Sequence, residues 1–162
     1  MRKAFLVGAL VLGACGNTPE GDDMPRGEAI EIVEASQDAP VPEPILQPIA
    51  FGDIEMAEAF GFSCAFFAES APEEVVALAM RDMGFLKIAG IMERHAADKG
   101  SGETVAGSWR NYDGTALSFT LEIEGEGTSS GPETTRYPAS LQIRDASERS
   151  VYDAAGVAEC GV

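Results

Sequence analysis

The strongest pattern in the chain is an alternation of apolar and polar residues near its middle. Leu117, Phe119, Leu121 and Ile123 alternate with Ser118, Thr120, Glu122 and Glu124. That period of two marks a strand with one face in a core and one in water. "TRYPASLQIRD" repeats it, with Tyr137, Ala139, Leu141 and Ile143 on one face. Pro138 falls on the other face, and a residue with no N–H to donate predicts an edge strand there. "FSCAFFAE" reads instead as a buried strand, "VVALAM" as another and "FLKIAG" as a shorter third, with turns at "SAPEE" and "DMG". "IMERHAAD", residues 91–98, fits a strand or a short helix, and its first half leans to strand. "KGSGE" is loop, and "SWRNY" leads into Asp113-Gly114, a two-residue hairpin signal. "GEGTSSGPE" is a long loop, and "SVYDA" and "GVAEC" supply two last short strands. One helix is expected over Asp53–Phe60, capped by Asp53 and ended by Gly61, with Ile54 and Ala57 on its apolar face and Met56 and Phe60 as further candidates for it. Seven or eight short strands with one early helix predict a mainly β domain, an antiparallel barrel or sandwich.

The N-terminus departs from this pattern. Arg2 and Lys3 precede an apolar run from Ala4 to Ala14. Eleven residues are too few to cross a hydrocarbon core of ~30 Å, which takes ~20, but they suit the hydrophobic region of a secretory signal. The run ends in Leu12-Gly13-Ala14-Cys15, which resembles a bacterial lipobox. The resemblance implies removal of residues 1–14 and diacylglycerol on Cys15, with a further acyl chain on the freed amine. Two or more chains give stable anchoring where one is marginal. Gly16 follows the cysteine, which resembles the pattern sent on to the outer membrane. The expected location is a Gram-negative envelope, lipid-anchored on the periplasmic side.

Residues 15–48 read as a tether. Between Asn17 and Pro48 lie six prolines and eight acids, against Arg26 as the lone base. Such a segment cannot bury enough apolar surface to offset its ordering entropy, and its proline-dense end forms a stiff spacer. Packing of part of it as an edge strand is the alternative. A single domain then runs from Ile49 to Val162, with eight bases against 19 acids. From Cys15 onward the chain holds nine bases and 27 acids, a net charge of −18. So acidic a chain repels nucleic acid, which excludes it as a partner, and favours cationic ones.

Cys64 and Cys160 sit at the two ends of the domain. In an oxidising compartment an even count predicts one disulfide, tying the first core strand to the last. Two free thiols, or a thiol nucleophile, are the competing reading, although no basic residue lies close in sequence to lower a thiol pKa.

Little else points to chemistry. His95 is the lone histidine and shares a strand face with Glu93, but no serine lies in a Gly-x-Ser-x-Gly elbow. It reads as an exposed histidine at a strand end. One histidine and two paired cysteines do not make a zinc site. Glu122, Glu124 and Glu126 form a carboxylate ladder that suits weak calcium binding less well than a solvated face. No cofactor, metal or catalytic residue is expected, and the chain reads as a non-enzyme. Trp109, Arg110 and Tyr112 are the most binding-like cluster, since arginine and aromatics concentrate at interface hot spots; Trp109 also suits a core position.

From Cys64 to Cys160 the layout resembles the small periplasmic lysozyme inhibitors, in particular the membrane-bound inhibitors of C-type lysozyme. That resemblance implies a lipid-anchored, disulfide-stapled antiparallel barrel and a lysozyme-like partner. The family carries a Ser-Gly-x-x-Tyr stretch whose serine enters the lysozyme cleft. Here Ser130-Gly131 is followed by Pro132, and the next tyrosine is Tyr137, so the serine's role does not carry over. The tail "GVAECG", Gly156–Gly161, is similar to that of small alphaproteobacterial lipoproteins and implies no mechanism. The expected function is a membrane-anchored, non-catalytic binding module for a cationic protein. The alternative is a structural or envelope-maintenance lipoprotein with no soluble ligand.

Overall fold

The computed structural model describes residues 42–162. The signal segment, the lipobox with Cys15, and the tether up to residue 41 lie outside the described residues. Among those described, one α-helix, α1 (Phe51–Ala57), precedes nine strands, and a single 3-10 turn, Val105–Gly107, lies between the fourth and fifth of them. These are β1 (Ser63–Ala68), β2 (Val75–Met80), β3 (Met83–Ile88), β4 (Ile91–Ala97), β5 (Asn111–Asp113), β6 (Leu117–Ile123), β7 (Thr128–Ser129), β8 (Thr134–Asp145) and β9 (Ser150–Gly161).

The strands run as an antiparallel meander. β1 to β6 pair in sequence order, β6 pairs with β8, β8 with β9, and β9 returns to β1. Eight strands thus close into a barrel and remove the sheet's open edges. β7 is a two-residue flap on β8, beyond the point where β6 leaves it. Cys64 and Cys160 are direct cross-strand partners in the closing β1–β9 ladder, and they form a disulfide. The bond therefore joins the first strand to the last, as cysteine spacing had suggested.

The interior is filled by side chains. Phe66, Leu86, Tyr112, Phe119, Leu121, Leu141 and Ile143 are each at most 1% exposed. Large residues stand beside small ones, which lets the layers interdigitate: Phe66 lies between Ala77 on β2 and Ala158 on β9. A second apolar cluster lies outside the barrel, where α1 and the segment before it cover β1 to β4. It holds Ile49, Ala57, Ala59, Leu78 and Phe85, with Ile54, Ala65, Met83 and Met92 packed against them. β2 is therefore buried on both faces, which accounts for its unbroken apolar run. Residues 46–49, read from sequence as spanning the end of the tether, run along this wall. Leu46 bridges Ile88, the Gln47 N–H donates to the Lys87 carbonyl at 2.8 Å, and the Ile49 N–H to the Val75 carbonyl at 2.8 Å.

Several elements differ from the pattern-based reading. Residues 91–97 are strand throughout. The "DMG" turn sits earlier, because Met83 and Gly84 already belong to β3. The β5–β6 hairpin closes through the Gly114 N–H donating to the Leu117 carbonyl at 2.9 Å. Thr115-Ala116, not Asp113-Gly114, therefore forms the tip. Thr128–Ser129 is a short strand inside the expected loop. The two final strands are one, because β9 runs unbroken through Gly156. Glycine is required there: a Cβ at Gly156 would stand 2.0 Å from the Phe67 carbonyl oxygen. Pro138 lies inside β8, not at its start, and pairs with Val157 of β9; on its other side it falls between the β6 and β7 ladders. Its carbonyl accepts from the Glu124 N–H at 2.9 Å. Its nitrogen faces that same side, in the gap between the β6 and β7 ladders, so no ladder bond is lost.

Candidate functional site

The cluster read from sequence as a binding surface separates in the fold. Tyr112 is 0% exposed, stacked on Phe119 with ring centroids 4.8 Å apart. Its hydroxyl donates to the Met80 carbonyl at 2.7 Å and accepts the Trp109 N–H at 2.9 Å. Burial pushes its pKa up to about 12, against the opposing Trp109 N–H. Trp109 is half-buried, with its indole N–H donating to the Arg81 carbonyl at 2.9 Å. Arg110 alone is exposed, paired with Glu122 at 3.2 Å. The hydrogen bonds tie the two aromatic residues to one end of the barrel. β6 ends at Ile123, so Glu124 and Glu126 do not continue a ladder with Glu122. Among the described residues no group of three or more His, Cys, Asp or Glu is placed to hold a metal ion.

His95 is a correction. It is 1% exposed and points into the barrel, because inward and outward residues alternate along β4 and position 95 falls inward. Burial lowers its pKa below the ordinary histidine value, while Glu93 and Asp113 act in the opposite direction. Sequence spacing had placed it on a face shared with Glu93, and it does share that face; the closure of the barrel over that face is what buries it.

The surface that stands out is α1. The helix begins at Phe51, two residues before the expected start, with Asp53 in its first turn and not at its cap. The Asp53 carboxylate instead reaches back to accept the Ala50 N–H at 2.8 Å, and it pairs with Lys87 of β3 at 2.7 Å. Both contacts, Lys87 first, hold its pKa below the ordinary carboxylate value against the opposing effect of burial. At the other end Glu58 adopts the left-handed conformation, φ 54°, and stops the helix before Gly61. There the Arg94 guanidinium of β4 donates to the Ala57 carbonyl at 2.8 Å. A cation at a helix C-terminus satisfies an orphan carbonyl and complements the dipole. The same guanidinium lies 5.9 Å from the Phe85 ring centroid.

The helix is thus clamped at both ends by cations from the wall beneath it. Its buried side is Asp53, Ile54 and Ala57. Met56 and Phe60, candidates from sequence for the buried face, point outward, 79% and 60% exposed, together with Phe51 at 67%. The spacing misled because a helix starting at Phe51 and ending at Ala57 leaves Phe60 outside its register. Beside Phe60 runs a groove of about 360 Å³ lined by Glu58, Phe62, Met80, Arg81, Asp82 and Met83. Glu55 and Glu58 lie exposed among these apolar residues.

Charge elsewhere is committed. Lys87, Lys99, Arg110, Arg136, Arg144 and Arg149 each pair with a carboxylate, and Arg94 caps α1. Most of the domain's bases are therefore paired, while its acids outnumber its bases by more than two to one. Comparisons with protein-family models, curated proteins and solved structures return no match to this chain.

Proposed function

We propose that this chain is a non-catalytic binding module, held at the periplasmic side of a bacterial envelope by acyl chains on Cys15, and that it captures a cationic protein through the outer face of α1. The observation that carries this reading is the clamped helix: two buried-side cations fix it, and it turns Phe51, Met56 and Phe60 to solvent. Large apolar side chains on a rigid element are the ingredients of an interface centre, since little entropy is lost on binding. Glu55 and Glu58 supply the rim and favour a partner with lysines or arginines around an apolar knob. The barrel interior is occupied by its own side chains, which favours recognition on the outside over a ligand held within.

The test uses calorimetry of the full chain against a C-type lysozyme, at low and physiological salt, alongside a lysozyme activity assay. Sub-micromolar binding is expected at physiological salt. The triple variant Phe51→Ser, Met56→Ser, Phe60→Ser is expected to weaken it at least tenfold, about 1.4 kcal/mol. Heat at low salt alone, unchanged in the triple variant, would mean generic charge attraction and overturn the reading. Crosslinking in native envelopes then becomes the way to find an assembly partner of a structural lipoprotein.

A further inference from the structure

The narrowest seam of the barrel and its lone histidine coincide. β4 and β5 share two register pairs, Ala96↔Asp113 and Ala97↔Tyr112. Every other neighbouring pair around the closed barrel shares at least three. His95 is the residue next beyond that short ladder; neither of its ring nitrogens meets hydrogen-bond geometry, although the Glu93 backbone lies close enough to favour its charged form. Its surroundings are built to fit an uncharged ring. Phe119 meets it edge-on, centroids 5.3 Å apart at 67°. Gly84 lies opposite on β3, and Gly114 on the β5–β6 turn lies directly against the imidazole. A Cβ at Gly114 would stand 2.6 Å from His95 Cδ2 and 2.8 Å from Nε2.

A neutral imidazole tolerates this cage, at the cost of one unsatisfied N–H. An imidazolium carries two donors and a full charge; the Glu93 backbone and the Glu93 and Asp113 carboxylates favour it, and burial beside Phe119 and the two glycines outweighs them. The charged groups near it are Glu93, half-buried on the same inward face of β4, and Asp113, exposed on β5. Lys87 and Arg94 point to the outer face of the wall, toward α1. From β3 and β6 the ring meets Gly84 and Phe119, neither ionisable. Tyr112 holds its hydroxyl on Met80 and Trp109. His95 itself lines a groove along the seam, together with Asp82, Arg94, Asp113, Gly114 and Thr115. The route from cage to water is therefore short and crosses the β5–β6 turn.

We propose that His95 is an acid-sensitive latch: neutral, it lets the β5–β6 turn close on β4, and protonated, it swings under Gly114 toward Asp113 and parts the β4–β5 seam. This device is independent of the α1 face. The direction follows from linkage. A histidine held below its ordinary value binds its proton more readily in the open state than in the closed one. Closure is therefore at full strength above about pH 6.5 and weakens as the pH falls below it.

Two measurements on the full chain test it. The single histidine is followed by proton NMR titration. Amide hydrogen exchange, corrected for intrinsic rates, is compared at pH 7.5 and pH 5. The expected midpoint lies below 6.5, and protection of residues 111–119 falls at least tenfold at the lower pH while β8–β9 protection holds. His95→Phe and His95→Met are each expected to remove that local pH dependence. A midpoint at or above 6.5, a uniform loss of protection, or a local loss that survives in either folded variant would overturn the latch. Should both variants fail to fold, the titration midpoint and the wild-type exchange map still decide it.

Discussion

The two walls of the barrel bury their strands differently. In the β1–β4 wall, α1 and residues 46–49 cover the outer face, so Leu78 and Phe85 are buried outside the barrel while Ala77, Ala79 and Leu86 are buried within it. In the wall formed by β5, β6, β8 and β9 the outer face is polar, with Ser118, Thr120 and Gln142 opposite Phe119, Leu121 and Leu141. The same closed sheet is thus two-layered on one side and single-layered on the other. The layered side supplies a platform, and on that platform sits the apolar surface proposed for recognition.

The link between the walls gives one of the two largest expected effects. Cys64 and Cys160 join β1 to β9 with a sequence separation of 96. Closing a loop of ~100 residues is worth up to ~4.7 kcal/mol in the chain-entropy model, and removal of native disulfides costs ~2–5 kcal/mol in small secreted domains. Replacing both cysteines by serine is expected to lower unfolding free energy by about 3–4 kcal/mol, measured by urea titration. A loss below ~1 kcal/mol would mean the ladder alone holds the walls together.

Next comes the difference between outer faces. Phe85→Ala removes a fully buried ring from the covered wall and is expected to cost about 3–5 kcal/mol. Thr120→Ala, which removes an outward hydrogen bond to the Asn111 side chain at 3.1 Å, is expected to cost about 0.5–1.5 kcal/mol. Comparable costs at the two positions would remove the distinction between the walls.

The smallest effect concerns the clamp on α1. The Asp53 carboxyl is held below its ordinary value of 3.8, chiefly by Lys87 and then by the Ala50 N–H. A depressed carboxylate stabilises the fold above that value and ceases to do so as the pH falls through the lower folded one. Hydrogen exchange is expected to show residues 51–57 loosening below about pH 3.8, before the β8–β9 ladder does, and Asp53→Asn to loosen them already at neutral pH. Equal loosening of helix and ladder would mean the ion pair does not fix the platform. This acid response lies well below the pH range in which the His95 latch acts, so the two are separable.

Much of this was legible in the chain. Strands β6 and β8 announced themselves, because a one-sided wall writes its burial directly as a period of two. The disulfide followed from cysteine number and an expected oxidising compartment, and a mainly β fold from strand spacing. The two-sided wall was readable as strand but silent about its cover, since an unbroken run such as "VVALAM" does not say what packs on each face. Local signals also fixed neither the Thr115-Ala116 tip nor the long β9, because pairing with neighbours overrode them. Gly156 reads as a break until Phe67 is seen against it.

The sequence by itself thus determined the strands, their approximate number, the acidic charge and the cysteine pair, all of which rest on local periodicity or composition. Only the tertiary structure decided which faces meet. It turned Met56 and Phe60 outward, drew Tyr112 and His95 inward, and set Lys87 and Arg94 at the two ends of α1. The physical reason is that burial is a property of pairs of surfaces. A side chain's environment is fixed by the strand or helix that closes over it, and barrel closure brings together residues that no window of sequence contains.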